Sequence, residues 1–152
     1  MKILHISFSD CLGGAAKAGF RLHSALISSG VDSKILVQRK ISKDANVIAL
    51  ENYRFDKFMA KARGALHSKV KMQIYKNNDK KYIFSEGSFF SRALRKIDEI
   101  DPDIVHIHWV SRYILKVEDI AKIKRPIVYT LHDMWPMTGG CHYSLDCKQY
   151  EN

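Results

Sequence analysis

A short apolar run, Lys2-Ile3-Leu4-His5-Ile6-Ser7-Phe8, breaks at Gly13-Gly14 and gives way at once to helical spacing. That junction constrains the fold more than any other feature. A strand that feeds directly into a helix returns to its sheet by a crossover, and the strand so reached runs parallel to the first. The helix is predicted from Ala15, Ala18, Leu22, Ala25 and Ser29, which recur at three- and four-residue steps and form the side expected to face the sheet. Gly30 stands where a C-cap glycine belongs. Lys34-Ile35-Leu36-Val37 reads as a second strand and Asn46-Val47-Ile48-Ala49-Leu50 as a third, weaker one. Phe90, Ala93, Leu94, Ile97 and Ile100 mark a later helix, stopped at Asp101-Pro102 because proline disfavours helical geometry in the residue before it. A strand from Ile104 to Trp109 follows, then a short helix around Val117 to Ile123, then a strand from Ile127 to Leu131. This alternation predicts an α/β fold, a Rossmann-like parallel sheet with helices on both faces.

The chain has 152 residues, 46% of them hydrophobic, with 8 Gly and 3 Pro, so it can form an ordinary globular core as one domain, residues 1–152. At this length about 68–70% of the unfolded surface can be buried, and no disulfide scaffold is needed. Cys11, Cys141 and Cys147 are too few and too uneven for one. The start, Met1 to His5, lacks the apolar core of a secretory signal, and no run approaches the roughly 18–20 apolar residues of a spanning helix. The expected location is cytoplasmic. The net charge of +9 favours anionic partners, and it is concentrated between Arg54 and Lys81, where nine basic residues meet two acidic ones. Phe55, Phe58, Met59, Ala62, Leu66, Val70 and Ile74 keep near-helical spacing through that stretch. It reads as an amphipathic helix whose cationic face is either simply solvated or set against anionic lipid. No interleaved aromatic motif accompanies the charge, so no nucleic acid is expected.

In a parallel sheet the ligand crevice lies beyond the carboxyl ends of the strands. Three stretches fall there: Ser9 to Lys17, His108 to Arg112, and His132 to Cys147. Gly13-Gly14 lets backbone amides approach a ligand, and the helix N-terminus behind it carries roughly half a positive charge, a fit for phosphate or diphosphate. Lys17, in the first helical turn, adds a point charge. The bland alternative is that the two glycines merely shape a tight turn. The spacing is not G-x-G-x-x-G and the second strand ends in Gln38-Arg39 rather than an acid, which speaks against a nicotinamide dehydrogenase. His106 and His108 alternate within one strand and share a face. With no third ligand beside them in sequence no metal is expected; His106 reads as a packed, hydrogen-bonded residue, while His108 and Trp109 edge the crevice. Cys11 is most simply a small buried residue.

The last strand opens the most informative run, Thr130-Leu131-His132-Asp133-Met134-Trp135-Pro136-Met137-Thr138-Gly139-Gly140-Cys141-His142-Tyr143 with Cys147 beyond it. With the stretches from Gly13 to Leu22 and from Asp101 to Trp109, it resembles the N-terminal domain of GT-B fold glycosyltransferases of family 4, in particular the bacterial branch that builds surface polysaccharides. The resemblance implies a retaining, metal-independent, hexosyl-type glycosyltransferase that uses a nucleotide-sugar donor and a glycan or lipid-linked acceptor. It implies that Gly13 and Gly14 close against the donor diphosphate and that His132 stands beside the transferred sugar and orients it. Trp109, Asp133 and Trp135 become candidates for acceptor contact. A peripheral position on the inner face of the cell membrane, through Arg54 to Lys81, also follows, and a C-terminal donor domain is expected outside these residues. Cys141, His142 and Cys147 look like part of a zinc knuckle, but three ligands do not close a tetrahedral site, so no zinc is expected here. The competing reading is a non-catalytic or degenerate Rossmann-like module that binds a sugar or a phosphorylated ligand.

Overall fold

Nine elements were traced in a computed structural model that describes residues 1–50, 92–110, 114–138 and 140–144. In chain order they are β1 (Lys2–Ser9), α1 (Gly13–Ser28), β2 (Asp32–Arg39), β3 (Val47–Ala49), α2 (Ala93–Ile100), β4 (Ile104–Ile107), α3 (Val117–Ile120), β5 (Ile127–Tyr129) and α4 (Trp135–Thr138). The strands form one sheet in the order β3-β2-β1-β4-β5, and every neighbouring pair is parallel. This is the Rossmann-like α/β sheet that the alternation predicts.

The two faces of the sheet differ in chemistry. On one, Leu4, Ile6, Leu36, Val105 and Ile107 are fully buried and pack with Ala93 and Ile97 of α2. Each large aliphatic side chain removed from water there contributes on the order of 1.5–3 kcal/mol, which makes this face the main source of cohesion. On the other, Ile35, Val37 and Val47 pack with Phe20 of α1, and beside them the sheet turns imidazoles toward the helix. His5 pairs in register with His106 across β1 and β4, so both project to the α1 side.

That side corrects the expected orientation of α1. The helix buries Ala16, Gly19 and His23, whereas Ala18 and Ala25 are exposed and Leu22 is 39% exposed. The helix is therefore turned by about 100°, one residue's rotation, from the face that its apolar spacing suggests. The cause is polar. His23 is buried because its Nδ1 hydrogen-bonds the Ser33 hydroxyl at 2.8 Å and its Nε2 lies 3.7 Å from Asp44, and Gly19 lets the helix approach the ring of His108.

Other boundaries shift little. β4 and β5 end two residues before the predicted limits, yet the ladder continues: the His108 amide donates to Ile6 O at 2.9 Å, and Thr130 to Ile107 O at 2.9 Å. α2 stops as its proline requires, with Asp101 in the left-handed region at φ 50°. The short α4 was not expected, but Pro136 lies in its first turn, where a missing N–H costs nothing. The amphipathic segment from Arg54 to Lys81 and Cys147 lie outside the described residues. Among the described residues no helix is long and apolar enough to cross a membrane.

Candidate functional site

The chain lays β2 and β3 on one side of β1 and then crosses to lay β4 and β5 on the other. The strand order therefore reverses between β1 and β4, and the crevice of such a sheet opens beyond their carboxyl ends. The β1 end supplies the glycine turn. Gly13 has φ 85°, a conformation that favours glycine, and a β-carbon at Gly13 or Gly14 would meet nothing within 4 Å. Leu12 gives α1 no side-chain cap. Ser9 Oγ accepts the amides of Cys11 and Leu12, each at 3.3 Å. The first turn of α1, without a side-chain cap and with room around both glycines, thus sets the exposed Lys17 at the positive end of a helix, a setting suited to an anion. Asp10, 1% exposed, braces this turn from below. Its carboxylate accepts the amide of Ile41 at 2.9 Å and that of Ser42 at 2.7 Å. Burial alone would raise its pKa; the bonds from Ser42 and Ile41 outweigh burial and hold it below the usual value.

The ends of β4 and β5 bring imidazoles together. His5 Nδ1 lies 3.2 Å from His108 Nε2, and His108 Nδ1 lies 3.1 Å from His132 Nε2. His106 Nε2 lies 2.7 Å from the Thr130 hydroxyl, and its ring stacks on that of His108 with centroids 4.3 Å apart. Burial, reinforced by neighbouring imidazoles, lowers the pKa of His5 to about 3 and that of His108 to about 4. Burial also lowers His23, His106 and His132, with Asp44 pulling His23 and Asp133 pulling His132 the other way. These rings are therefore neutral near pH 7. Nitrogens of His5, His106 and His108 lie within 4.8 Å of one another, which supplies the third imidazole that the sequence did not reveal. His5 and His106 each stack on His108, and the nitrogens bond along the row and to Thr130. The arrangement is a hydrogen-bonded file of imidazoles.

Beyond His132, Asp133 gathers the loop. Its Oδ2 accepts the Trp109 indole N–H at 2.7 Å and contacts His142 Nδ1 at 2.5 Å, while Oδ1 accepts the Trp135 amide at 3.0 Å. Trp135 is 5% exposed and belongs to the aliphatic cluster; the half-buried Trp109 sets its ring edge-on to Phe8. The structure thus brings His132, Trp109, Asp133 and Trp135 to one end of β4 and β5, and places Gly13, Gly14 and Lys17 at the start of α1. Of the three sulfur and imidazole residues in the TGGCHY-C run, Cys141 is partly exposed and His142, 3% exposed, is turned to Asp133.

A family model described as Glycosyltransferase Family 4 matches residues 12–150. The chain belongs to glycosyltransferase family 4. No curated protein and no solved structure matches it. The matched span of this glycosyltransferase domain holds the glycine turn, His108, His132 and Asp133, while His5 and Asp10 precede it. Four residues beside the candidate site carry no motif in the sequence: His5, Asp10, Gly19 and His23. Two of them left a signal. His5 interrupts an otherwise apolar strand, and His23 follows Gly19 at the i, i+4 spacing that shares a helix face. Asp10 gave none, because its partners lie some thirty residues away along the chain.

Proposed function

We propose that this glycosyltransferase domain is the acceptor-side half of a two-domain enzyme that transfers a sugar, with retention of anomeric configuration, from a nucleotide-sugar to a glycan or lipid-linked acceptor in polysaccharide assembly. The observation that carries the reading is the place of His132. It stands just past the carboxyl end of β5, half-buried, with Nε2 engaged by His108 and its pKa lowered by burial. A neutral imidazole held from behind can hydrogen-bond a sugar hydroxyl and fix the donor in a reactive pose, a positioning role rather than a general-base one. The bare amides behind Gly13-Gly14 and the Lys17 ammonium suit the developing charge on a diphosphate leaving group, without a divalent ion. Trp109 and Asp133 would shape the acceptor side, whereas Trp135, expected there too, is packed into the aliphatic cluster and supports the loop from beneath. The C-terminal donor domain would supply the rest of the enzyme.

The test is transfer by the intact protein from nucleotide-sugars in the presence of EDTA, with the product's anomeric configuration read by NMR. Retention, with a rate that EDTA leaves unchanged, is expected; inversion or a requirement for a divalent ion overturns the reading. The same proposal seats the basic stretch from Arg54 to Lys81 on the inner leaflet, each Lys or Arg adding up to about 1 kcal/mol. Charge reversal at Lys69, Lys71 and Lys76 should abolish sedimentation with anionic vesicles; undiminished sedimentation removes the membrane from the account.

A further inference from the structure

The file His5, His108, His132 runs from the centre of the sheet to the crevice, and the bookkeeping of its protons is closed. Each neutral imidazole carries one N–H and one lone pair. The two contacts, His5 Nδ1 to His108 Nε2 at 3.2 Å and His108 Nδ1 to His132 Nε2 at 3.1 Å, use two of the three N–H groups. The third must sit at one end of the file, on His5 Nε2 or on His132 Nδ1. His5 is fully buried, and its Nε2 has no hydrogen-bond partner among the described residues. An orphaned buried N–H is a rarer and costlier feature than an unfilled acceptor. The proton is therefore driven to the other end.

We propose that His5 and His108 are positioning residues that set the tautomer of His132, so that its Nδ1 presents an N–H to the crevice while its Nε2 accepts from His108. This rests on the reading of His132 as the sugar-facing residue and adds what that residue offers: a donor, suited to a sugar hydroxyl or ring oxygen acting as acceptor. Gly19 and His106 keep the file straight. A β-carbon at Gly19 would come within 3.3 Å of the His108 ring, and His106 stacks on its face at 4.3 Å. The ring of His108 is held at both nitrogens and stacked on one face. The tautomer of an imidazole follows from the bond its other nitrogen makes, and here that bond is made by a ring which is itself fixed.

The test is the proton position itself. In the intact chain labelled with ¹⁵N-histidine, two-bond nitrogen–proton correlations show which nitrogen of His132 is protonated, with assignment by loss of its signals in His132→Gln. The expected result in the native protein near pH 7.5 is protonation at Nδ1, the form an unconstrained imidazole disfavours. Protonation at Nε2 overturns the proposal, and this reading needs no substitution that endangers folding. In His108→Leu the proton should move to Nε2 and transfer should slow about tenfold in kcat with little change in donor KM, the loss of one hydrogen bond's worth of orientation. A folded His108→Leu that keeps Nδ1 protonated also overturns it. The outcomes separate from those of the function itself: full transfer by His132→Ala removes His132 from the sugar site whatever its tautomer, whereas an inactive His132→Ala with Nε2 protonated in the native chain removes the file alone.

Discussion

A β-carbon on Gly19 would stand 3.3 Å from the imidazole of His108, so α1 lies at its observed distance from the sheet because that helix position carries no side chain. In an open helix an alanine gains about 1 kcal/mol over glycine. Here His108 is held by His5 and His132 at its two nitrogens and by His106 at its face, and overpacking a fixed site costs about 1–3 kcal/mol. Gly19→Ala is expected to lower stability by roughly 1 kcal/mol in urea unfolding; a stabilised variant would contradict the packing described.

Gly14 makes the opposite case. Nothing stands within 4 Å of a β-carbon built there and its φ is ordinary, so Gly14→Ala should be neutral or stabilising by up to about 1 kcal/mol. If the turn closes on the donor diphosphate, the added methyl group occupies the ligand's space and raises donor KM. A variant equal to the native protein in both stability and KM would remove Gly14 from the donor site.

Acid should unfold the protein through its buried imidazoles. Their folded pKa values lie below the unfolded value of 6.5, about 3 for His5 and about 4 for His108, with His23, His106 and His132 lowered as well. Below pH 6.5 the unfolded chain binds protons that the fold refuses, so stability is fully present above that pH and declines as pH falls toward 4. The slope approaches about 1.4 kcal/mol per pH unit for each refusing group. Tm should drop clearly between pH 7.5 and pH 5.0, and less steeply in His108→Leu. A flat profile would show that these imidazoles titrate freely.

Asp133 joins the crevice loop to β4. Its carboxylate takes the Trp109 indole, His142 Nδ1 and the Trp135 amide, and an asparagine would point an amide N–H at one of these donors. Asp133→Asn is expected to lose roughly 2–3 kcal/mol, since charge-assisted bonds are the stronger kind. It should also lower the His132 pKa further, because Asp133 is what raises it. Thermal unfolding checks the first and an NMR titration of His132 the second; an unchanged Tm would show that the loop does not depend on this carboxylate.

The strands were legible because apolar runs of strand length stand between glycine and proline breaks, and the crevice was legible because a parallel sheet has one place for it. The rotation of α1 was not. Apolar periodicity assigns Leu22 inward, whereas the fold buries His23, and the reason lies in Ser33 and Asp44 on other elements. His106 and His108 were readable as one face of one strand, but His5 joins them only through the register between β1 and β4, which one-dimensional spacing does not carry. His132 is legible through the resemblance of its motif; the ring behind it, His108, meets it only through the fold.

The most direct measurement of the account is sugar transfer by the intact protein carrying His132→Ala. Misplacing a donor by about 1 Å can cost on the order of a hundredfold in rate, so a fall of that size in kcat, with the fold intact by circular dichroism, is predicted. Transfer at the native rate by a folded His132→Ala would contradict the central claim that this imidazole positions the sugar.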